Sequence, residues 1–143
     1  MIPDVAVLDK PLDALAIRAL VSDPAAGAIV VFEGTARNHH QNRVVESLAY
    51  EAFIPMAEAE LQRLRTESMS RFGLCRCAIH HRIGTVRLLE AAVVIAVSSA
   101  HRKEALEAAA WLMDRIKEGV PIWKREEYQQ GGNAWVEGAE RHP

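Results

Sequence analysis

"SSAHRKEALEAAAWLMDRIKEGVPIWKREEY", residues 98–128, carries the clearest local signals in the chain. Ala105, Ala109, Leu112, Met113 and Ile116 recur at helical spacing and predict one buried stripe. Ser98 or Ser99 is placed to cap the start, Glu104 falls in the first turn, and Gly119 with Pro121 stops the helix. "IWKREEY" then reads as a strand, "QQGGN" as a turn and "AWVEG" as a strand coming back, so the chain leaves its last helix as a hairpin.

Upstream, "AVVIAVSS" (92–99) and "LCRCAIHHRI" (74–83) read as strands, joined by "GTVRLLEA", which has room for a short strand of its own. A helix opens near Pro55, buries Ala57, Leu61 and Leu64 and ends at Gly73. "AIVVFEG" (28–34) and "RVVESLAYEAF" (43–53) could pair as a hairpin across "ARNHHQN", with Val44, Leu48 and Tyr50 on one face. Before them, "VAVL" (5–8) reads as a strand, and Pro11 opens a helix in which Leu12, Leu15, Ala16, Ala19 and Leu20 recur. Helices this sparse among hairpin-linked strands predict an α+β fold, mostly antiparallel with about three helices. No repeat or linker interrupts it, so residues 1–143 read as a single domain.

Composition narrows the function. With 143 residues and half of them hydrophobic, the chain can bury one core without metal or disulfide support. No run approaches the roughly 20 apolar residues of a membrane helix, and "MIPDVAVLDK" lacks the basic start and apolar core of a secretory signal. A cytoplasmic protein that engages no membrane is the expectation. A net charge of −2 gives no global attraction to nucleic acid, so any anion site is local. Cys75 and Cys77 are too close for an ordinary disulfide and read as reduced core thiols, with a metal or redox role as the alternative. His39, His40, His80 and His81 make a poor metal set, because adjacent histidines rarely chelate one ion. No metal or cofactor is expected.

Local anion chemistry has four candidate sources. His101 and Arg102 stand in a first helical turn, where positive charge opposes the helix dipole unless an anion binds there; solvation or pairing with Glu104 or Glu107 is the plainer alternative. Arg102, Ala109, Met113 and Lys117 share one flank of that helix, which sets Lys117 at the edge of the core, either as a desolvated, reactive amine or as a snorkelling lysine. Lys124 alternates with Trp123, so a buried Trp123 would put Lys124 over the same cleft as Lys117; a lysine guarding a sheet edge is the alternative. Arg37, His39, His40 and Arg43 add a basic loop. Neither a Walker-type phosphate loop nor a G-x-S-x-G elbow is present.

Six stretches occur together and in order: "GAIVVFEGTARNHH" (27–40), "YEAFIPMAEAEL" (50–61), "IHHRIG" (79–84), "SSAHRKEAL" (98–106), "VPIWKRE" (120–126) and "WVEG" (135–138). As a set the chain resembles the catalytic large subunit of molybdopterin synthase, over roughly residues 1–138. The resemblance implies an α/β-hammerhead fold and a central homodimer within a heterotetramer. Each end of that dimer receives the Gly-Gly tail of a small ubiquitin-like sulfur carrier bearing a thiocarboxylate. It implies sulfur transfer to cyclic pyranopterin monophosphate, forming the dithiolene of molybdopterin, with no cofactor for the step. By motif, Lys117 and Lys124 correspond to the catalytic lysines, and Arg37, His101 and Arg102 to residues that hold the pterin and its phosphate. Phe32 and Met113 would line the tail tunnel or the pterin pocket. In two places the chain departs from the pattern: Leu89 stands where a turn glycine is expected, and Ala139 follows "WVEG" in place of arginine, with Arg141 beyond. A non-catalytic module binding a pterin or nucleotide phosphate is the competing reading, and a structural interaction domain with dispensable cations is a third. A binder needs cations but not lysines.

Overall fold

The computed structural model describes residues 2–129 and 131–136. Ala139, Arg141 and the last two residues of "WVEG" lie outside them. The element order is β1 (Val5–Leu8), α1 (Ala14–Ala19), β2 (Ala28–Thr35), β3 (His39–His40), β4 (Arg43–Ala52), α2 (Ile54–Phe72), β5 (Arg76–Arg82), β6 (Gly84–Arg87), β7 (Ala91–Ser99), α3 (Arg102–Gly119), β8 (Ile122–Tyr128) and β9 (Asn133–Val136). The fold is α+β, and of the strand pairings among the described residues only β1 with β5 is parallel.

Two sheets organise these strands. The first runs β1-β5-β7-β2, and the second β3-β4-β8-β9 with β6 also on β4. Alternation along the first sheet separates two apolar clusters. Cys77, Ile79, Val93, Ile95 and Val97 face the main core with α2, α3 and the second sheet, whereas Ala78, Val94 and Ala96 meet Ile17 and Val21 of the α1 region. A strand buried on both faces reads as a continuous apolar run, which is what β7 is.

The expected hairpin between residues 28–34 and 43–53 does not form. β2 pairs antiparallel with β7, from Ala28 beside Ser99 to Thr35 beside Ala91. β4 instead turns back on the two-residue β3, through Gln41 and Asn42 at φ 50° and 65°. Two consecutive left-handed residues make the tight turn that matches strand twist, and Asn tolerates that conformation better than most side chains. Within β4, Val45 rather than Val44 shares the buried face of Leu48 and Tyr50. The register slips between Val45 and Ser47, so Glu46 is the extra residue of a bulge and the parity changes there.

The helices follow their patterns with two corrections at their starts. α2 buries Ala57, Leu61 and Leu64 and ends at Gly73, whose φ of 62° is the left-handed cap that glycine supplies without strain. α3 buries the expected stripe plus Ala108. Its N-cap is His101, not a serine; the Ser99 hydroxyl donates to the His101 carbonyl just ahead of the helix. α1 begins at Ala14 rather than Pro11, because the Asp13 carboxylate accepts from the Ala16 N–H, and Leu15 is left exposed while Ile17 is buried. No helix among the described residues is long and apolar enough to cross a membrane.

Candidate active site

β8 sets the site. Ile122 and Tyr128 anchor the inner face of this strand in the core, and the two-residue alternation forces Lys124 and Glu126 onto that same face. Lys124 is 7% exposed and Glu126 4%, while Trp123 is 43% exposed. The expected placement of Trp123 in the core is thus reversed: parity is decided by Ile122 and Tyr128 together, which outweigh one tryptophan. β8 also lies between β4 and β9, so Lys124 does not guard a sheet edge.

Lys124 opens into a narrow cleft lined also by Thr35, Arg37, His39, Leu48 and Glu126. Arg37 and His39 reach it because β2 ends at Thr35 and the chain crosses to β3 within a few residues. The same Arg37 and His39, with Ala36, Asn38, Leu88 and Leu89, line an adjoining open cavity of about 640 Å³. A basic cleft therefore continues into a wider, largely apolar vestibule. Leu89 stands at that vestibule 93% exposed and at φ 75°, the left-handed region where glycine is expected by resemblance.

Glu126 is the acidic counterpart in the cleft. Its Oε1 accepts from His40 Nδ1 at 2.8 Å and from the Tyr128 hydroxyl at 3.2 Å. The Tyr50 hydroxyl is raised far above its ordinary range, by burial first and by the negative charge of Glu126 second. Behind Tyr50, the ring of His81 packs edge-on at 5.2 Å. Burial pushes His81 down to about 4, and its Nδ1 lies 2.8 Å from the Arg82 carbonyl. Glu126 and Tyr128 were not singled out from the sequence as site residues, whereas His40 was, as part of the basic loop with Arg37, His39 and Arg43. The alternation Ile122, Lys124, Glu126, Tyr128 is the signal that would have found the first two.

The remaining sequence candidates occupy other places. Lys117 is half-buried in the last turn of α3, beside the buried Ile116 and next in line after Met113 on the same flank. Met113 is buried in the main core, and Phe32 of β2 packs half-buried against that core. His101 and Arg102 are exposed and form no ion pair with Glu104 or Glu107. One chain does not bring them to Lys117: at about 1.5 Å per residue, Arg102 lies roughly 22 Å from Lys117 along the helix. They stand instead near the Ala28 end of β2, whereas Arg37 follows its Thr35 end, roughly 23 Å away at about 3.3 Å per residue.

No three His, Cys, Asp or Glu side chains among the described residues cluster as metal ligands. His80 Nε2 bonds the Pro3 carbonyl at 2.7 Å, in a different sheet from His40. Cys77 is buried, its thiol pushed up to about 11 by that burial, and Cys75 is half-buried; both are free thiols.

Comparison with known proteins agrees with this architecture. A family model described as MoaE protein matches residues 7–119. A molybdopterin synthase catalytic subunit from Pyrococcus abyssi is 44% identical over 124 residues, 87% of this chain and 82% of that protein. One from Thermoplasma volcanium is 44% identical over 131 residues, 92% of this chain and 96% of its own. The crystal structure of molybdopterin synthase from Staphylococcus aureus superposes with a TM-score of 0.90 at 37% identity, covering 96% of this chain and 99% of that one. With the six motifs in order, the α+β arrangement and these matches over most of its length, the chain belongs to the MoaE protein family, that of the molybdopterin synthase catalytic subunits.

Proposed function

We propose that this chain transfers sulfur from the C-terminal thiocarboxylate of a small ubiquitin-like carrier to cyclic pyranopterin monophosphate, forming the dithiolene of molybdopterin in the cytoplasm. The observation that carries the reading is Lys124, a lysine 7% exposed that shares one cleft with Arg37. Lys124 and Arg37 outnumber the single carboxylate of Glu126 in that cleft, a balance that suits reactants that are both anionic. The vestibule beside Arg37 is wide enough for an extended tail and leads to the narrow cleft.

In this mechanism the thiocarboxylate sulfur attacks a side-chain carbon of the pterin. A C–S bond forms, the C–O bond to the cyclic phosphate breaks, and the phosphate oxygen leaves while still tethered. Hydrolysis of the resulting carrier thioester returns the carrier as a carboxylate; a second charged carrier then adds its sulfur to the adjacent carbonyl-level carbon, whose oxygen leaves as water, and a second thioester hydrolysis releases that carrier. Lys124 and Lys117 stabilise the charge that develops on the attacked and departing atoms and supply the protons that the departing oxygen takes up. Arg37 holds phosphate, and by the family resemblance Phe32 and Met113 belong to the tail tunnel or the pterin pocket.

A homodimer supplies what one chain lacks. β2 is the edge of the first sheet, and Ala28 to Phe32 along it are half-buried. An apolar, unprotected edge is suited to pairing with another strand. Antiparallel pairing of β2 with its copy sets the Ala28 end of one chain against the Thr35 end of the other, carrying His101 and Arg102 of one subunit toward Arg37 of the second.

Mixing the chain with thiocarboxylated carrier and the cyclic pterin tests the assignment, with molybdopterin as the readout. The wild type is expected to form product, and Lys117→Ala and Lys124→Ala each to lose about a hundredfold or more of the rate while still binding the carrier. Lys→Arg variants at both positions keep the positive charge but not the amine, and are expected to stay inactive. Full turnover by the alanine variants would sink the lysine roles. Absence of product from the wild type would favour a non-catalytic binder.

A further inference from the structure

Glu126 separates two cavities. On one side is the cleft with Lys124, Arg37 and His39; on the other is a cavity of about 250 Å³ lined by His40, Gln41, Tyr128, Ala134, Trp135 and Val136. The β3–β4 turn folds His40 over the inner face of β8, where its side chain is 19% exposed and that of Glu126 only 5%. Both donors to this carboxylate, His40 Nδ1 and the Tyr128 hydroxyl, use Oε1. The same carboxylate lines the cleft that holds Lys124.

We propose that His40 is a positioning residue for Lys124, acting through the Glu126 carboxylate; the proposal rests on the sulfur-transfer reading of this site. A buried carboxylate with one fixed oxygen presents its other oxygen in one direction, and the ammonium two residues away on the same strand face responds to where that charge points. His40 makes the shorter of the two bonds and comes from the hairpin tip, so it couples this orientation to the water-facing cavity. Other ionisable groups face the pair: Arg37 and His39 from the segment before and in β3, Arg43 and Tyr50 from β4, and Lys124 and Tyr128 from β8. The Arg43 guanidinium stacks 3.7 Å over the Tyr128 ring.

The test compares His40→Ala, which removes the donor, with His40→Asn, whose side-chain amide can donate from about the same place. In molybdopterin formation with saturating carrier, His40→Ala is expected to lower kcat about tenfold with the KM for the cyclic pterin within about twofold. His40→Asn is expected to keep kcat within about twofold of wild type. A second readout needs no turnover: the rate at which Lys124 is acetylated by acetic anhydride, followed by mass spectrometry, should shift severalfold in His40→Ala and stay at the wild-type value in His40→Asn. Unchanged kcat and labelling in His40→Ala overturn the proposal. Equal losses in both variants that track a lowered Tm overturn it as well, because that result describes a merely structural histidine. If the wild type forms no molybdopterin while Lys124 labelling still separates the two variants, the positioning stands and the sulfur-transfer reading fails.

Discussion

Replacing Leu89 with glycine should make this protein more stable. The residue sits at φ 75° and is 93% exposed, so its side chain buries almost nothing in the isolated chain. An L-residue with a Cβ in the left-handed region costs about 1–2 kcal/mol, which glycine avoids. Against that, glycine gives the unfolded chain more freedom, worth about 0.4–1 kcal/mol. The difference is a net gain of about 0.5–1 kcal/mol, which for a chain of this size raises Tm by roughly 2–4 °C. Leu89→Ala is the control: it removes the exposed side chain but keeps the Cβ and the strain, and should leave stability within about 0.5 kcal/mol of wild type. Urea unfolding at matched protein concentration, with thermal melts alongside, measures all three. A Leu89→Gly variant less stable than wild type by about 1 kcal/mol would refute the reasoning, since the leucine would then be buried against something, such as a second subunit, that outweighs its backbone strain.

Two further outcomes follow from the site and its surroundings. His81 has a folded pKa of about 4 against an ordinary 6.5, so between those values the unfolded chain binds a proton that the folded chain refuses. Its contribution is fully present above pH 6.5 and is lost as pH falls toward 4, at up to about 1.4 kcal/mol per pH unit and about 3 kcal/mol in all. Denaturant titrations from pH 7 to pH 4 should show a flatter pH dependence for His81→Gln than for wild type, and identical slopes would remove His81 as the cause. For the shared site, Arg102→Ala and Lys124→Ala chains, each inactive alone, should regain up to about a quarter of the wild-type activity when mixed and reassembled, since a mixed dimer keeps one intact site. No recovery in demonstrated mixed dimers would mean that each site is built within one chain.

Much of this protein was legible in the residues. The helical stripe of α3, the Ala57–Leu61–Leu64 stripe of α2 and the Gly73 stop are local patterns, decided within a few turns of chain by burial and by the conformational freedom of one glycine. The six ordered motifs carried the family, and the unusual Leu89 marked a position that the backbone does hold at positive φ. Strand partners were less legible. "AIVVFEG" and "RVVESLAYEAF" are near in sequence and both β-prone, yet they join different sheets, because pairing depends on which faces a strand must bury and not on proximity. The bulge at Glu46 and the two-residue turn at Gln41 and Asn42 each shift parity in ways that a period-two reading passes over.

The sequence by itself determined the chemistry on offer: a lysine at the end of the last helix, another in the strand that follows, and cations at a loop and at a helix start. Tertiary structure decided their arrangement. Ile122 and Tyr128 in the core force Lys124 and Glu126 inward and Trp123 outward, since a strand can turn only alternate residues to one side. The pairing of β2 with β7 fixes Arg37 and the His101–Arg102 pair at opposite ends of one strand, a separation of roughly 23 Å that no local pattern encodes. Buried charge and long-range pairing are properties of the packed chain, and that is where the cleft holding Lys124 comes from.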